Sequence, residues 1–418
     1  MESKPKLNLT RSMQMYEEAQ RLSPGGLMGI RRPYNFVSGE YPIFIERGYD
    51  GHIVDVDGND YIDMLCAYGP IILGYNEPEI NQAVIKQMEK GFCFSLVQEV
   101  QNTLQQKLID LIPSAEMVVL CKTGSDATSI ATRVARAYNN KDKILRCGYH
   151  GWHDWCVEVK GGIPKQISDL TIEFEYGDLN VLEDVLKQHA HEAACIIITP
   201  LGHHNAQPIV TPPEGYLKGV RELADKYNVV LIFDEVRSGF RLALGGAQEK
   251  YGVTPDLSVF GKAMANGYAI SACVGKAEFM KVLEKKAFVS STFFPNSLEM
   301  AAAMKTIEIL ERDKVIDDIW TRGQVFLDNT TKLVKESGVP ATVSGIPPMQ
   351  YITFDKVDEK YKERRAFFYT QTIRRNLFIQ PFHHGYICYR HTDADLKNAL
   401  NAIGEALEET NKAFPYKK

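Results

Sequence analysis

The chain has 418 residues, 44% hydrophobic and 24% charged, with a formal net charge of −5. That composition supports a sizeable globular core and excludes a disordered or low-complexity protein. The acidic balance excludes a general nucleic-acid binder, which needs a basic face for phosphates, and no apolar run is long enough to cross a bilayer. Eight scattered cysteines without a Cys-x-x-Cys pair suit thiols in a reducing compartment, and residues 1–22 hold no apolar core of signal-peptide type. The expectation is a cytoplasmic protein with neither membrane nor nucleic-acid partners.

Residues 9–22 read as a short helix, followed by the loop Ser23-Pro24-Gly25-Gly26. Residues 43–63 read as a hairpin that turns at Asp57-Gly58. Helical patterns fill about 78–91 and 98–113. Short apolar, β-branched runs then occur at 117–121, 143–147, 194–199, 228–233, 256–260 and 270–275. Helices separate several of them, as at 126–138 and 214–227. This alternation predicts an α/β fold with a largely parallel sheet covered on both faces, and a ligand at the strands' carboxyl ends. The pattern changes at 297. Helices at 297–312 and 315–337 lead to strand candidates at 341–345, 349–354 and 376–379. In the last helix Leu396, Leu400, Ile403 and Leu407 share one face, with Thr392 and Asp395 at capping-box spacing. Three parts are expected: an N-terminal segment 1–60 that packs with the small domain, a large domain 61–296, and a smaller α+β C-terminal domain 297–418.

Three local signals carry chemistry. In LIFDEVRSGFR (231–241) a buried-type strand ends in Asp234. In VFGKAMANGY (259–268) another strand runs into Gly261-Lys262. A lysine there is either a surface side chain on a loop or, because burying an ammonium is costly, an amine kept nucleophilic by a depressed pKa. Residues 117–138 read as strand, Thr123-Gly124-Ser125 turn and helix, so backbone N–H groups and two hydroxyls would meet an anion at the helix N-terminus. Each alone is ordinary. Together they supply what pyridoxal phosphate (PLP) needs: an amine for its aldehyde, a carboxylate that keeps the pyridine nitrogen protonated, and a phosphate cup.

These motifs arrive in the order of a known family. VDVDGNDYID (54–63), TGSDA (123–127), GYHGWHD (148–154), FDEVRSGFR (233–241), FGKAMANGY (260–268) and STFFPNSLEMAAA (291–303) resemble the class III (subgroup II) aminotransferases of PLP fold type I, especially glutamate-1-semialdehyde 2,1-aminomutase and its kin. The resemblance implies a mostly parallel seven-stranded sheet in the large domain. It implies that Lys262 carries the cofactor and moves the proton, that Asp234 pairs with the pyridinium, and that Val236 and Tyr149 flank the ring. Thr123, Gly124 and Ser125 would hold the phosphate. Thr292 would reach the phosphate of a neighbouring subunit, which implies a homodimer with shared active sites. Arg32 would meet a substrate carboxylate, with Arg31 an adjacent competitor.

The chain also departs from the family. Thr199-Pro200 stands where many members have Glu-Pro, followed by His203-His204, and His204 falls near the expected substrate site. His383-His384-Gly385-Tyr386 replaces the aminomutase's Glu-Ala-Gly-Phe. Trp152, Tyr268, Phe293 and Tyr386 add aromatic surfaces, Trp152 among the expected substrate contacts. No carboxylate or cysteine accompanies the histidine pair, so no metal is expected. The expected activity is transamination from an amino-acid donor such as L-glutamate to an aldehyde or ketone. An oxidised aminoglycoside sugar in antibiotic biosynthesis is one such acceptor. Two alternatives stand beside it, an aminomutase-type isomerase and a non-catalytic PLP-fold binding protein.

Overall fold

The computed structural model describes residues 4–202 and 207–416. Its strands in chain order are β1 (Ile45–Tyr49), β2 (His52–Asp55), β3 (Asp60–Asp63), β4 (Met117–Cys121), β5 (Lys143–Cys147), β6 (Thr171–Glu173), β7 (Ala193–Ile198), β8 (Val230–Asp234), β9 (Leu257–Phe260), β10 (Ser271–Gly275), β11 (Ala341–Ile346), β12 (Met349–Phe354), β13 (Leu377–Phe378) and β14 (Gly385–Tyr386). The chain divides into two compact units. Of the described residues, one comprises 4–77, 207–209 and 317–416; the other comprises 78–202 and 210–316.

The second unit is built on the expected seven-stranded sheet, ordered β4-β10-β9-β8-β7-β5-β6. All neighbours pair parallel except β10, which runs antiparallel to both β4 and β9. Strand β7 shows why it is two-faced. Cys195 and Ile197 enter one apolar cluster with Ile130 and Val134 of helix Gly124–Asn139. Ile196 and Ile198 enter another with Leu182, Leu186, Leu217 and Val220 of helices Leu179–His189 and Tyr216–Tyr227. Period-two alternation therefore buries both faces, and each sealed isoleucine contributes roughly 1.5–3 kcal/mol.

The first unit holds two smaller sheets, β1-β2-β3-β13 and β11-β12-β14. Residues 43–63 form three strands rather than one hairpin, because Asp50-Gly51 makes a second reversal, with Asp50 at φ +45°. The carboxylate of Asp57 accepts the Arg11 and Ser12 N–H groups and so caps helix Thr10–Leu22. The unit boundaries fall at 77 and 316 rather than at 60 and 296. Helix Ser297–Arg312 packs on helices Pro78–Met88 and Glu99–Leu111, which keeps it with the seven-stranded unit. The final helix starts as its spacing predicts: Thr392 Oγ1 accepts from the Asp395 N–H, and Asp395 accepts from the Thr392 N–H. Among the described residues no helix is long and apolar enough to cross a membrane.

Candidate active site

A cavity of about 290 Å³ opens in the seven-stranded unit, and Asp234, Lys262 and the Thr123–Ser125 turn all line it. Three strand ends converge there, as expected at the carboxyl edge of a parallel sheet. Strand β4 leads into the turn, β8 ends in Asp234, and β9 ends just before Gly261-Lys262.

Asp234 is buried and held from two sides. Its Oδ2 accepts from His150 Nδ1 at 2.8 Å, and its Oδ1 accepts the Val236 N–H at 3.1 Å. His150 is itself buried. Its Nε2 faces the Cys147 carbonyl at 3.2 Å, and its ring stacks with Trp155 at a centroid distance of 6.2 Å. A carboxylate fixed this way keeps its direction without solvent.

Lys262 has a backbone φ of +45°, a left-handed conformation that costs a side-chain-bearing residue energy and recurs at functional sites. Burial pushes its pKa down to about 7, and the nearby Arg237 guanidinium adds to the shift against the opposing pull of Asp234. An amine that sheds its proton near neutrality is a competent nucleophile and base.

Glycine makes the third corner possible. At Gly124 a Cβ would lie 2.9 Å from Val236 Cγ1, so only glycine lets the turn and Val236 pack together. At Gly151, with φ +117°, a Cβ would run into Ser125 Oγ. Gly124 and Ser125 begin a 16-residue helix, so their N–H groups lack intrahelical partners and favour an anion. Thr123 also serves the helix. Its hydroxyl accepts the Asp126 N–H at 3.1 Å and donates to Asp126 Oδ2 at 2.8 Å, so the capping box uses it.

These donors fit PLP. The cavity presents a helix N-terminus, a neutralisable amine and a fixed carboxylate. It also presents Thr199 Oγ1, a buried hydroxyl without a hydrogen-bond partner among the described residues. An orphaned polar atom facing a cavity is what a polar ligand would satisfy. Val236 and Tyr149 line the same cavity.

Trp152 and Thr292 are not among the residues that line this cavity. Arg32 belongs to the other unit, where its guanidinium donates to the carbonyls of Leu27 at 3.0 Å and Pro24 at 3.4 Å. It closes the glycine loop on itself. Its neighbour Arg31 places its guanidinium 5.9 Å from the centre of the Tyr68 ring. Trp152 is 69% exposed and lines a separate surface groove with Arg133 and Asp126. Thr292 is exposed and lines another groove beside Cys93 and Phe94. His203 and His204 lie outside the described residues.

Three cavity residues escaped the sequence reading. Lys122 lines the cavity and places its Nζ 3.0 Å from Glu299 Oε2. Arg237, buried, follows Val236 directly. His150 sits inside the GYHGWHD motif, yet nothing local ties it to an acid 84 residues away.

The family model for class-III aminotransferases matches residues 34–407. The chain is 61% identical to the 3-aminobutyryl-CoA aminotransferase of Cloacimonas acidaminovorans (strain Evry), over 97% of this chain and 99% of that protein. It is 32% identical to the glutamate-1-semialdehyde 2,1-aminomutase of Desulforamulus reducens, over 96% of this chain and 98% of that protein. Among solved structures, the FumI protein of Sphingopyxis sp. MTA144, in its PLP internal aldimine form, superposes with a TM-score of 0.92 at 28% identity, covering 98% of each chain. An omega-transaminase from Sphaerobacter thermophilus gives 0.89 at 27% identity, covering 96% of this chain and 98% of that one.

Proposed function

The chain belongs to the class-III aminotransferases, which depend on PLP, and from that premise we propose that it exchanges an amino group between an amino acid and carbon 3 of a coenzyme A thioester. The observation that carries the substrate class is the 61% identity to a 3-aminobutyryl-CoA aminotransferase along almost the whole chain. That relative is named for a thioester, which replaces the oxidised sugar as the acceptor to test. The overall exchange balances: the 3-amino thioester becomes a 3-oxo thioester while a 2-oxoacid becomes an amino acid. L-Glutamate and 2-oxoglutarate are the first such pair to try.

When bound, PLP supplies an electron sink that makes the hydrogen on the amine-bearing carbon acidic. The chain's residues do the rest. Gly124 and Ser125 would hold the phosphate by their N–H groups at the helix N-terminus. Val236 and Tyr149 would flank the ring. Asp234, braced by His150, would keep a proton on the pyridine nitrogen. Lys262 Nζ would hold the cofactor at rest and, once displaced by the incoming amine, move the proton at carbon 3.

A homodimer belongs to the same proposal. Phe92, Phe94, Leu96, Val97, Phe288 and Phe293 are exposed apolar side chains of one unit, and Thr292 stands among them in sequence. A second copy covering them would bury this surface and bring Thr292 to the partner's phosphate. All eight cysteines are free thiols, which supports a reducing compartment such as the cytoplasm.

The test is turnover. Purified enzyme with PLP, 3-aminobutyryl-CoA and 2-oxoglutarate should yield glutamate and the 3-oxo thioester. Glutamate-1-semialdehyde isomerised without release of an oxoacid, with the thioester inert, would instead support the aminomutase reading, which the 32% relative represents.

A further inference from the structure

A buried cluster lies in the unit that contains residues 4–77 and 317–416. Cys66 Sγ, Cys388 Sγ and a ring nitrogen of His391 all lie within 4.8 Å of one another. All three side chains are buried. The arrangement is built from unusual backbone. Cys66, Ala67 and Tyr68 follow β3 with φ of +48°, +53° and +70°. Three successive L-residues in the left-handed region cost roughly 1–2 kcal/mol each, so packing must hold the turn in place. Across from it, the Cys388 N–H donates to His391 Nδ1 at 3.1 Å, and His391 Nε2 lies 3.1 Å from the Asp63 carbonyl. At Gly51 a Cβ would run into the His391 ring, so the backbone there leaves space for it.

These backbone contacts orient the imidazole, and one ring nitrogen stays within 4.8 Å of both sulfur atoms. Cys66 Sγ lies 3.4 Å from the Asp63 carbonyl oxygen and 3.7 Å from that of Tyr386. Burial alone would push the Cys388 thiol up, but hydrogen bonding from Cys66 and the presence of His391 bring it well below the usual thiol range. One sulfur is thus poised as a nucleophile with a second thiol beside it. Closing to a bond of about 2 Å needs side-chain rotation and a small backbone shift.

We propose that Cys66 and Cys388 form a reversible disulfide when the protein meets hydrogen peroxide. The Cys388 thiolate attacks one peroxide oxygen, and the O–O bond breaks. The released hydroxide takes a proton and leaves as water, with Cys388 as a sulfenic acid. The Cys66 sulfur then attacks that sulfur and the S–O bond breaks. The hydroxyl leaves with the Cys66 proton as a second water. Two electrons pass from the sulfurs to peroxide, and a dithiol reductant reverses the bond. Peroxide is close to water in size and enters through local opening. The bond would pin the strained turn that carries Tyr68, whose ring meets His383 edge-on at 4.9 Å.

Cys93, the exposed cysteine, is the internal control. The full-length protein is treated with equimolar hydrogen peroxide, alkylated, digested and mapped by mass. The expected result is a fall from eight free thiols to six. A linked peptide pair containing Cys66 and Cys388 should appear about 2 Da below the sum of its parts, and dithiothreitol should remove it. Cys66→Ser and Cys388→Ser should each abolish that pair. The wild-type map decides the matter even if a variant fails to fold. Oxidation confined to Cys93, with Cys66 and Cys388 recovered as alkylated thiols, would overturn the proposal.

Discussion

Replacing His150 by Phe removes the Nδ1–H that Asp234 Oδ2 accepts at 2.8 Å and keeps a flat ring against Trp155. The substitution therefore isolates one hydrogen bond with little loss of volume. A hydrogen bond to a charged group contributes about 1.5–3 kcal/mol net, and stripping one partner from a buried pair costs up to about 5 kcal/mol. Asp234 keeps the Val236 N–H at 3.1 Å, so the lower part of that span applies. A loss of about 2–3 kcal/mol corresponds to a roughly 30- to 150-fold fall in kcat/KM, at about 1.4 kcal/mol per tenfold. The assay is single-turnover conversion of the cofactor by the amino donor, followed by absorbance, with PLP affinity measured separately by fluorescence. His150→Asn, which restores a donor, should recover part of the loss, whereas a purely space-filling role would favour Phe. A His150→Phe enzyme within about threefold of wild type would refute the argument that His150 positions Asp234.

Three further outcomes follow from the same geometry. Burial pushes the free Lys262 amine down to about 7, so the rate at which the apoprotein captures added PLP should climb as pH rises through about 7; a rate flat from pH 6 to 9 would contradict it. Because burial lowers that pKa, the folded apoprotein carries a desolvation cost that is full below about pH 7 and fades toward the unfolded pKa of 10.5. Lys262→Met should therefore abolish transamination yet raise the apoprotein's Tm more at pH 6 than at pH 10, and an equal gain at both pH values would count against it. Gly124→Ala brings a Cβ to 2.9 Å from Val236 Cγ1, so the turn must shift. At a cost of about 1–3 kcal/mol, typical of overpacking, PLP dissociation measured by equilibrium dialysis should weaken about 10-fold or more.

The sequence was informative wherever physics is local. The apolar run of β7, the Thr392–Asp395 capping box and the long helices at 297–312 and 315–337 are set by neighbours within a turn or two, and the structure has them. Asp234 ends an apolar strand and Lys262 follows one by two residues, where an ionisable side chain is conspicuous, and both line the one cavity. Edge strand β6 was not legible, since three residues at a sheet border need no apolar run. Helix Ser297–Arg312, where the sequence pattern changes, looks the same whichever unit it packs on. His150 was missed because its role depends on Asp234, far away in the chain. Arg32 has a use that the sequence did not suggest: its guanidinium donates to two backbone carbonyls of its own loop. Thr123 likewise satisfies its helix with the hydroxyl that the motif offered to phosphate.

The most direct test of the account is where PLP attaches. Holoenzyme treated with borohydride, which fixes the cofactor on its amine, is digested and mapped by mass. The account predicts one label per chain, on the peptide carrying Lys262, and none in Lys262→Met. A label on another lysine, or a chain that takes up no PLP at saturation, would contradict it.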